Sequence, residues 1–292
     1  LRTGLSYGDT VLAMTNICNV KGHGHKDRAS ILLEYNKEPL ILDPGYKNYS
    51  SPDVALYSQT FCHNTLTFSQ RNQKGGYNNY KTSITDYLSI SESEHIIDWV
   101  TTDATDVYSE AVKYVRHIIF LRPDIFIIVD DIIAKAFEKI ELNFTCLGPV
   151  EKKDKNLFTS KTKMNQLNIH SYALEELEHN FKTFGTLWDD VPSYRLILST
   201  KNMVKSCCFI TALSPSPLDR ENKIVIEKLN NKDILGLSIK SNDCEDIFIY
   251  NINRNELIDY GVKTNCEMII LHKQKGILTG GIKFHNNKLE KI

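Results

Sequence analysis

Apolar residues recur along almost the whole chain in short runs, separated by Asn, Gly, Pro, Ser and Lys. Thr10 to Cys18, Ala29 to Tyr35 and Leu40 to Asp43 open the series, and Asn36 to Pro39 makes the second and third runs a hairpin. Ile84 to Val100 alternates as one strand. The strongest hairpin signal joins Tyr114–Leu121 to Ile125–Ile133 through the turn Arg122-Pro123-Asp124. Its second arm is almost continuously apolar, which predicts a central strand buried on both faces. Asp130 and Asp131 break that arm, and buried carboxylates need partners, for which Arg116 is the candidate. Ile140–Cys146 continues the pattern, Lys152 to Lys163 reads as a charged loop, and Tyr172 to His179 is the one stretch rich in helix formers. Strand runs then follow at 194–199, 207–213, 223–228, 234–239, 247–252, 267–272 and 276–284. Many short strands punctuated by turn residues predict an all-β fold, an antiparallel two-sheet β-sandwich with little helix. No Pro/Gly/Ser-rich linker, repeat or low-complexity run interrupts it, so residues 1–292 read as a single domain.

With 41% hydrophobic and 24% charged residues and a formal net charge of −1, the composition is that of an ordinary globular protein. No global basic field points to nucleic acid, while a polyanionic substrate stays compatible because steering depends on local charge. The seven cysteines, Cys18, Cys62, Cys146, Cys207, Cys208, Cys244 and Cys266, are odd in number and have no C-x-x-C spacing, so they read as buried thiols. No apolar run approaches the roughly 20 residues of a membrane span, and no signal segment opens the chain. Strand signal begins almost at once and there is no initiator methionine, which reads as a start in mid-protein.

The densest chemistry lies in Gly22-His23-Gly24-His25-Lys26-Asp27. In an extended segment alternate side chains share a face, so His23, His25 and Asp27 can point the same way. Asp43 before Pro44-Gly45, and His63 in Phe61-Cys62-His63-Asn64-Thr65-Leu66, extend the set. Two imidazoles and a carboxylate suit zinc, and also iron(II) in its facial arrangement. The plainer alternative is that such histidines are satisfied by backbone or carboxylate partners. Tyr46, Tyr49 and Tyr57 lie in a polar stretch, 46–59, which reads as a long loop with aromatic faces toward a cleft or, as readily, as rings capping the core edge. Residues 69–79 read as a surface loop, in which Arg71 and Gln73 either face a ligand or are simply solvated.

The ordered series Gly22-His-Gly-His-Lys-Asp27, Leu40-Ile-Leu-Asp-Pro-Gly45, His63-Asn-Thr-Leu66, Tyr108, Arg116 and Val129-Asp-Asp131 resembles the carboxy-terminal β-sandwich of heparinase II/III-like polysaccharide lyases. The resemblance spans roughly residues 1–145 and is carried by order and spacing more than by any single motif. It implies a lyase that cleaves uronate-containing, acidic polysaccharide by β-elimination in a cleft between an amino-terminal α/α-toroid and this sheet domain. It also implies that His23 reaches the cleft as a catalytic group, and that His25, Asp43 and His63 hold a structural zinc ion. Elimination requires removal of the proton beside the uronate carboxyl, stabilisation of the resulting charge and protonation of the leaving oxygen. In the family the tyrosine acid/base and the group neutralising the carboxylate belong to the toroid. No such helical domain is visible here, so the chain reads as the carboxy-terminal part of a longer lyase. A periplasmic or secreted location follows from the resemblance alone.

Two other classes fit parts of the pattern. An iron(II) oxygenase-type site would use His25, Asp27 and His63, leaving Asp43 free, whereas the lyase pattern uses Asp43. A non-catalytic carbohydrate-binding sandwich would use the metal for stability and tyrosines such as Tyr46 and Tyr49 for contact.

Overall fold

The computed structural model describes residues 1–4, 6–15, 24–45, 54–75, 82–92, 95–185, 191–220, 224–231, 233–257, 260 and 262–292. The chain groups into two compact units, one of Leu1–Ile84 with Thr101–Arg220 and the other of Thr85–Val100 with Glu221–Ile292.

The larger unit is an antiparallel β-sandwich. One sheet of seven strands runs in the order Val11–Met14, Ile31–Tyr35, Glu38–Ile41, Ile140–Cys146, Pro192–Thr200, Leu177–Gly185, with Leu66–Phe68 also on Ile140–Cys146. The other runs Val150–Asp154, Leu157–Lys161, Asn165–Ala173, Val204–Pro217, Ile125–Glu138, Ala111–Leu121 within this unit. Between the sheets lies one apolar core, to which Ile31, Leu33, Phe68, Leu142, Phe144 and Leu196 contribute from the first sheet. Tyr114, Ile118, Phe126, Ile128, Ile169 and Phe209 meet them from the second. Ile125–Glu138 is central, flanked by Ala111–Leu121 and Val204–Pro217, and its first eight residues are all buried, as its apolar run predicts.

The smaller unit is a six-stranded antiparallel meander, Val225–Asn230, Ile234–Ser241, Cys244–Asn251, Met268–Gln274, Ile277–His285 and Lys288–Lys291, each strand beside its neighbour in sequence. Ile234, Ile247, Ile249, Ile269 and Leu271 form an apolar cluster within it. Trp99 packs with Phe248 and Phe284 at ring-centroid distances of 6.2 and 6.4 Å.

Four local expectations are corrected. Tyr172 to His179 is not helix but the end of one strand, a turn at Leu174–Glu175 and the start of the next strand. Its helix formers are overridden because Tyr172 and Ala173 pair across the sheet with Ile210 and Phe209, which buries both. Lys152 to Lys163 is a hairpin rather than a loop, its charged residues lying on the exposed side of an edge pair. Ile84 to Val100 is two strands, Ser83–Glu92 and His95–Asp103. The stretch 46–59 contains a short α-helix, Val54–Tyr57. The hairpin expected between the second and third runs forms, with Glu38 and Pro39 paired to Tyr35 and Glu34 in the strand rather than lying in the turn, and its two-residue turn places Asn36 and Lys37 at φ +47° and +69°, the doubly positive geometry whose twist matches antiparallel strands.

Candidate metal centre

Three loops meet at one end of the seven-stranded sheet. The first, residues 24–30, leads into Ile31–Tyr35; it bends and turns, so His25 and Asp27 are presented by loop backbone and not by the strand expected from their alternation. The second follows Glu38–Ile41 and carries Asp43. The third follows the 3-10 turn Thr60–Cys62 and carries His63 just before Leu66–Phe68. His23, Tyr46 and Tyr49 lie outside the described residues.

One nitrogen or oxygen from each of His25, Asp43 and His63 lies within 4.8 Å of the others. Asp27 is not part of this group. Asp43 Oδ2 sits 2.6 Å from His63 Nδ1, and Asp43 Oδ1 accepts the Gly45 N–H at 2.8 Å. The His25 and His63 rings are 5.2 Å apart. His63 is fully buried, and its Nε2 has no hydrogen-bond partner among the described residues. Burial, followed by the neighbouring His63, holds the His25 imidazole below its ordinary pKa, favouring the neutral form that ligates metal. Burial would raise the Asp43 carboxyl, yet the bond and charge of His63 outweigh it and keep Asp43 ionised below its usual range. For Asp27 burial dominates and its carboxyl is raised.

These residues fit a metal ion. Zinc bonds imidazole nitrogen and carboxylate oxygen at about 2.0–2.2 Å, which separates neighbouring tetrahedral ligand atoms by about 3.4 Å. The observed separations, 2.6 Å between His63 Nδ1 and Asp43 Oδ2 and no more than 4.8 Å within the group, bracket that value. No ligand geometry beyond this set is implied.

Beneath the loops lies a polar frame. Arg116 and Asp130 form a fully buried bidentate pair, Nε to Oδ1 at 2.7 Å and Nη2 to Oδ2 at 3.1 Å. Arg116 Nη1 also donates to the carbonyls of Ala29 and Asn64, which fixes the backbone on either side of the centre. The partner expected for Asp130 is thus present, while Asp131 takes Lys113 instead at 2.6 Å. Tyr108 is buried beside this frame, donates to Leu66 O at 2.7 Å, and has its hydroxyl pushed up to about 12 by burial.

Two polar residues of the 69–79 stretch have partners other than a ligand. Gln73 is buried, contrary to the solvated alternative, with its carboxamide on the Arg28 backbone. Arg71 is half-exposed and held by Glu110 and Glu138. Tyr57 is likewise no exposed platform: it is buried and donates to Gly185 O at 2.7 Å. Among the cysteines described, Cys62, Cys146, Cys207, Cys208 and Cys266 are buried, as expected, and Cys244 is half-buried, while Cys18 lies outside the described residues. No helix among the described residues is long and apolar enough to cross a membrane.

An antiparallel sandwich presenting a His/His/Asp cluster at one sheet end is the architecture in hand. Residues 3–181 match the family described as "Heparinase II/III-like, C-terminal", and the chain belongs to that family. No curated protein matches the sequence. Among solved structures, heparan sulfate lyase HepC from Pedobacter heparinus is 18% identical with a TM-score of 0.66, covering 82% of this chain and 38% of that one. A heparinase III described as the BT4657 gene product is 14% identical with a TM-score of 0.68, over 94% and 40%. Another heparinase III is 16% identical with a TM-score of 0.63, over 94% and 41%. At such identities the likeness is one of fold, and the chain spans about two fifths of the length of these lyases.

Proposed function

We propose that this chain is the sheet domain of a polysaccharide lyase that cleaves acidic, uronate-containing polysaccharide by β-elimination. The convergence of His25, Asp43 and His63 in a member of this family carries the reading. These residues would hold a structural zinc ion that ties the 24–30 loop to the ends of two neighbouring strands. His23, two residues before His25, would thereby be held at the cleft as the chain's catalytic contribution. The tyrosine acid/base and the group neutralising the uronate carboxylate would come from an amino-terminal toroid of the same protein. Two solved structures of this fold are a heparan sulfate lyase and a heparinase III, which supports an acidic glycan as substrate. A polymer of that kind is met outside the cytoplasm, so the reading includes a periplasmic or secreted location.

The iron(II) oxygenase alternative needs Asp27 in the cluster, and the carboxylate found with the two imidazoles is Asp43. The binding-module alternative is separated by chemistry. The full-length protein incubated with heparan sulfate or alginate should generate unsaturated uronate ends, read by their ultraviolet absorbance. His23→Ala should cut that rate by roughly 10²–10⁴-fold with metal content unchanged, as loss of a general acid/base does. Sugar binding without unsaturated ends from either polymer would replace the lyase reading with the binding module.

A further inference from the structure

The loops carrying His25, Asp43 and His63 have little regular backbone pairing with one another, and two buried carboxamides stand where such pairing would be. Asn64 directly follows His63. Its Nδ2 donates to Leu42 O at 3.0 Å and to Ile31 O at 2.8 Å, and its Oδ1 accepts the Thr145 N–H at 2.6 Å. Its own backbone N–H goes to Ser30 Oγ at 2.9 Å, and its carbonyl accepts Arg116 Nη1 at 3.0 Å. Every polar group of this fully buried residue is therefore used. Leu42 precedes Asp43, so one carboxamide fixes the residue beside each of two candidate ligands. Gln73 does the same for the first loop, residues 24–30: its Oε1 accepts Arg28 N–H at 2.9 Å and its Nε2 donates to Arg28 O at 2.8 Å, copying a strand partner. Arg28 Nη1 in turn donates to His25 O at 3.1 Å.

We propose that Asn64 and Gln73 are positioning residues for the metal centre, two side-chain amides that hold the His25, Asp43 and His63 loops at ligating separation. The inference rests on the metal reading above and extends it to residues that touch no ion. Partners of this outer kind typically change metal affinity about 10–100-fold when lost. A buried amide that served only the fold would lower stability and leave affinity alone, which is the distinction to test.

The test measures zinc affinity of the purified protein by chelator competition, together with the melting temperature of its zinc-free form, in Asn64→Leu, Asn64→Asp and Gln73→Leu. Asn165→Leu is the comparison. Asn165 is an equally buried carboxamide of the same unit, bonded to Glu38 and Asn36 well away from the three loops. The expected result is a 10–100-fold loss of zinc affinity in the Asn64 and Gln73 variants, wild-type affinity in Asn165→Leu, and comparable falls in melting temperature across the set. Asn64→Asp retains the acceptor for Thr145 and loses both donors, so it serves if Asn64→Leu does not fold. Wild-type zinc affinity in folded Asn64 and Gln73 variants overturns the positioning role alone, as does an equal loss of affinity in Asn165→Leu. Failure of the wild-type protein to take up zinc overturns the metal reading, and this role with it.

Discussion

In the smaller unit the strands of the meander follow one another in chain order, and a buried polar group such as Asn251 bonds locally, to the carbonyls of Asn255 and Cys266. In the larger unit Ile140–Cys146 lies between strands that come from opposite directions in the sequence. There Asn64 reaches Thr145 and Arg116 reaches Ala29, across 81 and 87 residues. Among the described residues the meander pairs only strands adjacent in sequence. The larger unit inserts charged and amide groups beneath its sheet end, each satisfied by distant backbone, and the candidate ligands stand directly on that insertion. The contrast suggests where cost and function coincide: buried polar groups are expensive to desolvate, and here they are spent on fixing loops.

The sharpest way to break the contrast is Arg116→Met. Removing one partner of a buried ion pair leaves Asp130 uncompensated, with an expected loss of about 3–5 kcal/mol in denaturant unfolding. Arg116→Met with Asp130→Leu should recover part of that loss, and equal instability of single and double variants would show that the carbonyl contacts, not the pair, dominate. Next in size is an acid effect. His117 is fully buried with Thr101 Oγ1 on its Nδ1 at 2.9 Å, and burial lowers its imidazole to about 3. The unfolded chain binds a proton below about pH 6.5 that the folded one refuses until about pH 3, so stability is full above this window and falls as pH drops through it. The slope is about 1.4 kcal/mol per pH unit, and His117→Gln should flatten it in unfolding measured from pH 7 to pH 5. Asp246→Asn in the smaller unit, where Asp246 Oδ1 pairs with His272 Nδ1 at 2.8 Å, should cost about 1 kcal/mol and leave zinc content unchanged. A fall in zinc content there would erase the division of labour between the units. The smallest effect is expected for Lys201→Ala, whose exposed pair with Glu176 should contribute less than about 1 kcal/mol to unfolding.

Much of this was legible in the sequence where contacts are local. The Tyr114–Leu121/Ile125–Ile133 hairpin and its central second arm follow from apolar continuity, and a turn within Asn36 to Pro39 from its place between two runs. The helix expected over Tyr172 to His179 failed because propensity is a weak prior, overridden when the sheet pairs Tyr172 with Ile210. Asp43, His25 and His63 were legible as ligand types, but preference for Asp43 over Asp27 came from family resemblance and not from spacing. Asn64 and Gln73 were not legible as frame residues. An amide in an apolar run or a polar loop reveals nothing of the distant carbonyls that will surround it, although Asn64 amid Thr65, Leu66 and Cys62 is the signal that could have drawn notice.

The central claim is that His25, Asp43 and His63 form one metal centre, and metal content by elemental analysis tests it most directly. The account predicts zinc near one per chain in the purified protein, loss of that zinc in Asp43→Ala, and retention in Asp27→Ala. Undiminished metal in Asp43→Ala, or its loss only in Asp27→Ala, would contradict the centre as drawn.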